Sequence, residues 1–288
     1  MKKWKKGRGS NIPEITIIEP SVQMLKQQEG ISGMMIAVES AARTCYKSED
    51  KITEGSAVKM VENLCKRGHT AMLEHATVYF TWPQGIADNI KYDIIYSRFS
   101  SLNFDENNTF VTTNMRVVFE ACENNLVKML DFIRAHAVAP TDNHQKRISF
   151  RIICDRGVTH ELVRHRVFSF AQESTRYVKY GEKQPFKFIK PSWWDDKIVN
   201  EQFTLEHEIF RNFCRHTAEI YEELLKLGET PQQARAVLCN AIKTEIVMTG
   251  TLQQWEAFLK LRTDKAAHPD MQIIANMIKE QLSLALSD

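Results

Sequence analysis

RISFRIICDRGVTHELVRHRVFSFAQESTR, residues 147–176, carries a strand signal, a turn, a helix signal and a dense cationic peptide in thirty positions. In RISFRIIC (147–154), Ile148, Phe150 and Ile152 alternate with Ser149 and Arg151, the period of a strand with one buried face. Asp155, Arg156 and Gly157 then read as a turn, and Thr159 as the N-cap of a helix over 160–164. RHRVFSFAQESTR (164–176) follows, with three guanidiniums, the His165 imidazole and the Ser174 hydroxyl beside Phe168 and Phe170. An Arg fork matches phosphate or carboxylate oxygens with parallel N–H donors, and its plane stacks on flat rings. That inventory suits a nucleotide. A solvated basic face, the usual fate of a charge run, is the alternative.

Outward from this stretch, helical signals dominate. Residues 33–45 and 54–67 read as helices, the second ending in a basic turn before Gly68. ATVYFTW (76–82) reads as a strand stopping at Pro83. The run 201–227 has Leu205, Ile209, Phe213, Ala218, Tyr221 and Leu225 at helical spacing and stops at Gly228. Thr230 and Pro231 cap a further helix, and helices over about 251–262 and 270–285 close the chain. Strands and helices do not alternate as βαβ units, so the expected class is α+β.

The chain has 288 residues and 43% hydrophobic content, enough for one large core. No apolar run is long enough for a membrane span, and the basic start, MKKWKKGRGS, has no apolar segment behind it as a secretory signal would. Residues 1–12 read as a disordered basic arm. Five of the chain's cations (Lys2, Lys3, Lys5, Lys6 and Arg8) lie there, so the net charge of +2 becomes −3 for the rest. The body is not a general polyanion binder. Six cysteines without a CxxC pair point to reduced thiols and a cytoplasmic setting. His160 and His165 stand five apart, the wrong spacing for two zinc ligands on one helix face, and no metal is expected. There is no GxGxxG after a strand and no GxxxxGK loop. Ser174 lacks a nucleophile elbow, so a donor role or a turn cap suits it better than attack.

The RHR-x7-S pattern of residues 164–174 resembles the signature of the flavin-dependent thymidylate synthases. AARTCY (41–46), GHTAMLEH (68–75), ARAVL (234–238) and LRTDKAAHPDMQ (261–272) are similar to further blocks of that family, in the same order, with Arg235 and Arg262 at the family's spacing. The resemblance implies a helix-rich single catalytic domain, residues 13–288, around a small mixed or antiparallel sheet. It implies reductive methylation of dUMP to dTMP, with 5,10-methylenetetrahydrofolate as one-carbon donor, FAD as hydride source and NADPH as reductant. By the same resemblance dUMP is held by Glu161, Arg164, Gln172, Glu173, Ser174, Thr175, Arg176, Arg235 and Arg262, with Arg262 activating the pyrimidine. FAD is contacted by His69, Arg164, His165, Arg166, Gln172 and Thr251. A homotetramer with shared active sites is implied too, Arg235 and the signature peptide coming from different subunits.

The chain departs from the family at Ala71, Ala171, Gln172, Thr251 and Ala257, where other residues are common. His75 reads as a hydrogen-bonded core histidine, and Arg235 and Arg262 as residues of apolar helices, where a surface ion pair is the alternative. Residues 84–146 lack a counterpart in shorter members and read as an insertion, with SSLNFDENNT (100–109) loop-like and CENNLVKMLDFIRAHA (122–137) helical. Two other function classes stay open. One is a nucleic-acid binder using the tail and the Arg-rich peptide; the other is a flavin- or nucleotide-binding relative without synthase activity.

Overall fold

The computed structural model describes residues 13–85, 88–181, 184–194 and 204–287; the basic arm at 1–12 lies outside them. Its centre is an antiparallel sheet in the order β2 (Ser21–Leu25), β6 (Arg147–Asp155), β9 (Lys243–Thr251), β7 (Ser169–Gln172). Every residue of β9 is buried, as expected of a strand paired on both edges and covered on both faces. A second antiparallel sheet has the order β3 (Thr77–Pro83), β5 (Asn108–Asn114), β4 (Ser101–Phe104). A parallel pair joins β1 (Ile15–Ile18) to β8 (Phe186–Ile189). With ten helices among the described residues, the chain is α+β and helix-rich.

Three apolar clusters organise the packing. One joins α1 (Gly30–Tyr46) and α2 (Ser56–Lys66) to β3, α3 (Asn89–Ile95), β5, α4 (Met115–Ala121) and α5 (Leu126–His136). A second packs β6 and β9 on α6 (Arg156–Leu162), α9 (Leu252–Arg262) and α10 (Pro269–Ser287). The third lies between α7 (Leu205–Lys226), β8 and the one-turn α8 (Pro231–Ala234).

The structure corrects several local expectations. SSLNFDENNT is a β-hairpin rather than a loop: β4 and β5 pair around a turn in which Asp105 accepts from the Asn107 and Asn108 amides. Residues 84–146 are built into the first cluster through Ile94, Val111, Met115, Val118, Met129 and Ile133. The helix of the signature region starts at Arg156, not after Thr159. Asp155 is its cap, accepting from the Val158 amide at 2.7 Å, and the Thr159 hydroxyl donates back to the Arg156 carbonyl. Arg235 does not sit on a long apolar helix but opens a 3₁₀ turn, Arg235–Val237, directly after α8.

Candidate active site

The signature peptide runs from the end of α6 into β7, and its position is fixed by packing. Phe168 is buried with its ring lying against Gly250 of β9, where an added Cβ would collide with it. The same ring meets Trp255 of α9 edge-on at 4.6 Å, and the His165 ring meets Phe258 edge-on at 4.9 Å. Trp255 in turn donates to the Ile148 carbonyl at 3.0 Å, tying α9 to β6. The α9 helix, and with it Arg262, is therefore held in register with the peptide.

Arg262 reaches across from the last turn of α9. Its Nε donates to His165 Nε2 at 2.9 Å, and its Nη1 donates to Glu161 Oε2 at 2.7 Å. Its Nη2 lies 3.4 Å from the Glu161 carbonyl. The side chain is only 16% exposed, so this is no loose surface pair. Because a guanidinium cannot accept, Nε2 of His165 is the acceptor and the ring's proton sits on Nδ1. Burial and then the Arg262 charge hold the His165 pKa below its ordinary value, which keeps the ring neutral. Three of Arg262's five N–H groups are occupied in this way; two are left for a ligand.

Arg164 and Arg166 flank His165 and are exposed, and their guanidiniums have no hydrogen-bond partner among the described residues. Val163, Val167 and Leu261 are exposed alongside. Two free forks, an N–H from a neutral imidazole and exposed apolar side chains suit a ligand with anionic oxygens and a flat ring.

The far end of β7 carries a second group. The Ser174 amide donates to the Cys45 carbonyl at 3.0 Å, docking the peptide on the end of α1, and the Ser174 hydroxyl accepts from the Arg176 amide at 3.3 Å. Arg235 Nη1 lies 3.4 Å from the Thr175 hydroxyl, so within one chain Arg235 already meets the end of the signature peptide, against the expectation that the two come from different subunits. Arg176 Nε donates to Gln232 Oε1 at 3.2 Å. Arg176 and Arg235 are both exposed. His69 joins this end through Tyr46, whose hydroxyl is 2.9 Å from His69 Nδ1 and whose ring stands 5.7 Å from Tyr177. Neither tyrosine was singled out from the sequence, although Tyr46 closes the AARTCY block and Tyr177 follows Arg176.

Other expected contact residues are engaged inside the fold. Gln172 donates to the hydroxyls of Thr159 and Thr244. The Glu173 carboxylate, 2% exposed, accepts from Tyr180 at 2.9 Å and from Lys243 at 2.8 Å. Lys243 also pairs with Glu245, which pairs with Lys47. The Thr251 hydroxyl caps α9 in a reciprocal box with Gln254. His75 is a core histidine with Nδ1 2.8 Å from the Thr249 hydroxyl, and Glu74 pairs with Arg116 at 2.6 Å. No hydrogen bond joins Arg262, Glu161 and His165 to Ser174, Arg176 and Arg235 among the described residues.

Residues 105–286, well over half of the chain and including residues 161–176, Arg235 and Arg262, match the family model described as "Thymidylate synthase complementing protein". The chain belongs to that family. It is 36% identical over 142 residues to the flavin-dependent thymidylate synthase of Corynebacterium efficiens, covering 44% of this chain and 53% of that one. It is 32% identical over 122 residues to the enzyme of the same name from Thermococcus onnurineus, covering 42% and 48%. The same name belongs to a Mycobacterium tuberculosis relative, 32% identical over 145 residues, 47% and 57% of the two chains. The chain thus spans about half the length of the curated relatives it matches. Among solved structures it is similar to PolB, a UMP/dUMP methylase from Streptomyces cacaoi crystallised with 5-Br UMP. That likeness has a TM-score of 0.44 and 15% identity over 94% of this chain and 91% of that one. The family match begins at residue 105, so His69 and the GHTAMLEH block lie outside it.

Proposed function

We propose that this family member methylates dUMP reductively to dTMP, with 5,10-methylenetetrahydrofolate as one-carbon donor, FAD as hydride source and NADPH as reductant. The observation that carries the reading is the free pair Arg164 and Arg166 around an immobilised, neutral His165, in a peptide that the family match spans. Those residues fit FAD: two unengaged forks suit its pyrophosphate, and the apolar ground at Val163, Val167 and Leu261 suits its ring. When bound, FAD supplies the hydride that completes the methyl group.

The chain's own groups do the rest. Arg176 and Arg235 give cationic oxygen-binding capacity beside the Ser174 hydroxyl, suited to the phosphate of dUMP. Arg262 aims its remaining N–H groups at the O2–N3 edge of uracil, where negative charge develops as C5 becomes nucleophilic. Glu161 holds that guanidinium, and His165 offers its Nδ1–H. Gln172 and Glu173 support the strand from inside the fold.

No hydrogen bond joins the two arginine groups among the described residues, which leaves room for a site completed by a second subunit. Leu205, Ile209 and Phe213 form an exposed apolar stripe along one face of α7, which supports a homotetramer with shared sites. Six free cysteines favour a reducing compartment, the cytoplasm.

Equilibrium titration with FAD tests the cofactor. Bound FAD whose absorption changes on adding dUMP supports the reading, because the two rings stack. No binding up to high micromolar FAD overturns it, and tight RNA or DNA binding in its place would support the nucleic-acid alternative.

A further inference from the structure

A cavity of about 740 Å³ lies away from the signature peptide, between the β2–α1 connection, β3, the end of α5 with residues 137–140, and the start of β6. That volume is in the range of small-molecule sites. Its walls are largely apolar, with Met24, Ile31, Met34, Ile133, Val138 and Ile148. Residues 133–140, the end of α5 and the stretch after it, form one of these walls.

One cation is set into the lining. Arg147 is crowded by protein, which pushes its pKa down to about 10 and leaves it charged at neutral pH. Its partners are uncharged: the Glu74 carbonyl at 3.1 Å and the Thr77 hydroxyl at 3.5 Å. The nearby Glu74 carboxylate is taken by Arg116, and no carboxylate pairs with Arg147 among the described residues. Only the more distant Glu74 charge offsets it, and a crowded guanidinium with no directly paired carboxylate is costly.

A second feature of the same lining has the same polarity. The seventeen-residue α1 starts in this wall at Gly30 and Ile31. Glu29 makes no side-chain cap there and the first turn has no acid, so its leading amides are without a side-chain acceptor. At the mouth, Lys26 is exposed and Arg134 is paired with Asp131.

We propose that this cavity is a second ligand site, for a small amphiphilic carboxylate whose head pairs with Arg147 and the start of α1 and whose apolar body fills the walls. A carboxylate suits it better than a phosphate monoester, because one half-buried cation balances one negative charge and the monoester brings up to two. None of its lining residues is among those proposed for dUMP and FAD, and the end of α5 with residues 137–140 gains a role in ligand binding.

Calorimetric titration of the full-length protein with octanoate, 1-octanol and octyl phosphate tests this. Octanoate is expected to bind at least about tenfold more tightly than octanol, a difference of about 1.4 kcal/mol. Arg147→Met should abolish that preference. Ala139→Trp, at the exposed wall, should weaken octanoate at least tenfold while leaving Arg147 in place, and it decides the matter if the Arg147 variant does not fold. Saturating FAD, dUMP or methylenetetrahydrofolate should not displace octanoate. Equal binding of octanoate and octanol, tighter binding of octyl phosphate, an unaffected Ala139→Trp variant, or displacement by any of the three reaction components would overturn the proposal. Failure of FAD titration alone would overturn the proposed reaction and leave this site standing.

Discussion

Arg262 donates through Nε to Nε2 of His165 at 2.9 Å, so a guanidinium from the last turn of α9 sets the tautomer of the central residue in the RHR peptide. The same side chain holds Glu161 at 2.7 Å, and one residue late in the chain thereby organises two residues a hundred positions earlier. That geometry lets Arg262 position His165 while two of its five N–H groups stay without a partner among the described residues.

Replacing Arg262 by Ala should therefore slow the chemical step by roughly 10²–10³, the worth of a donor aimed at developing charge, while FAD stays bound. Arg262→Lys should recover little, since a point charge cannot serve both partners of a planar fork. The His165 pKa, followed by ring NMR, should rise in the alanine variant because a repelling cation is gone. Unchanged single-turnover dTMP formation and an unmoved His165 titration would return Arg262 to a packing role.

No cysteine is expected to act as the nucleophile. Cys239 is the one thiol with a lowered pKa, about 7, through its hydrogen bond with Cys214. It packs in the third apolar cluster against α7, whereas Cys45, whose carbonyl receives Ser174, has its thiol pushed up by burial. Cys239→Ala and Cys45→Ala should each keep most of the turnover. Loss of activity in a folded Cys239 variant would speak for covalent attack on uracil.

Gly250 is required by the ring above it. Alanine there drives a methyl group into Phe168 and forces the peptide off β9. Gly250→Ala should cost roughly 1–3 kcal/mol in urea unfolding and weaken FAD binding as well. Wild-type values for both would show that the peptide tolerates the shift.

His75 sets a pH dependence. Burial lowers its pKa to about 3 from an ordinary 6.5, so the folded state takes up its proton later than the unfolded state. Its contribution is complete above pH 6.5 and is lost as pH falls toward 3, by up to about 1.4 kcal/mol per unit. His75→Gln should flatten that part of the stability profile in chemical denaturation. The same slope in both proteins would mean that other groups govern it.

Much of this was legible in the chain. The alternation at 147–154 yielded β6 and the helical spacing at 205–225 yielded α7, because each pattern runs long enough to repeat. The β4–β5 hairpin was not legible: SSLNFDENNT is polar, and β5 is a strand through its pairing with β3 and β4 rather than through its own alternation. The strand β7 is four residues long and depends wholly on β9. At the site, the residues around Arg164–Arg176 and Arg262 could be named from the motif blocks. That Glu173 would be consumed by Lys243 could not, since that partner lies seventy positions on, and a Thr–Gln pair three apart does not by itself say that Thr251 caps α9.

The most direct measurement of the central claim is dTMP formation by the purified protein from dUMP, with methylenetetrahydrofolate, FAD and NADPH supplied together and each omitted in turn, without oxygen. dTMP is expected only in the complete mixture, and should disappear when FAD is left out or when Arg262 is alanine. A folded protein that binds FAD and dUMP yet forms no dTMP, or one that forms it equally well without FAD, would contradict the account.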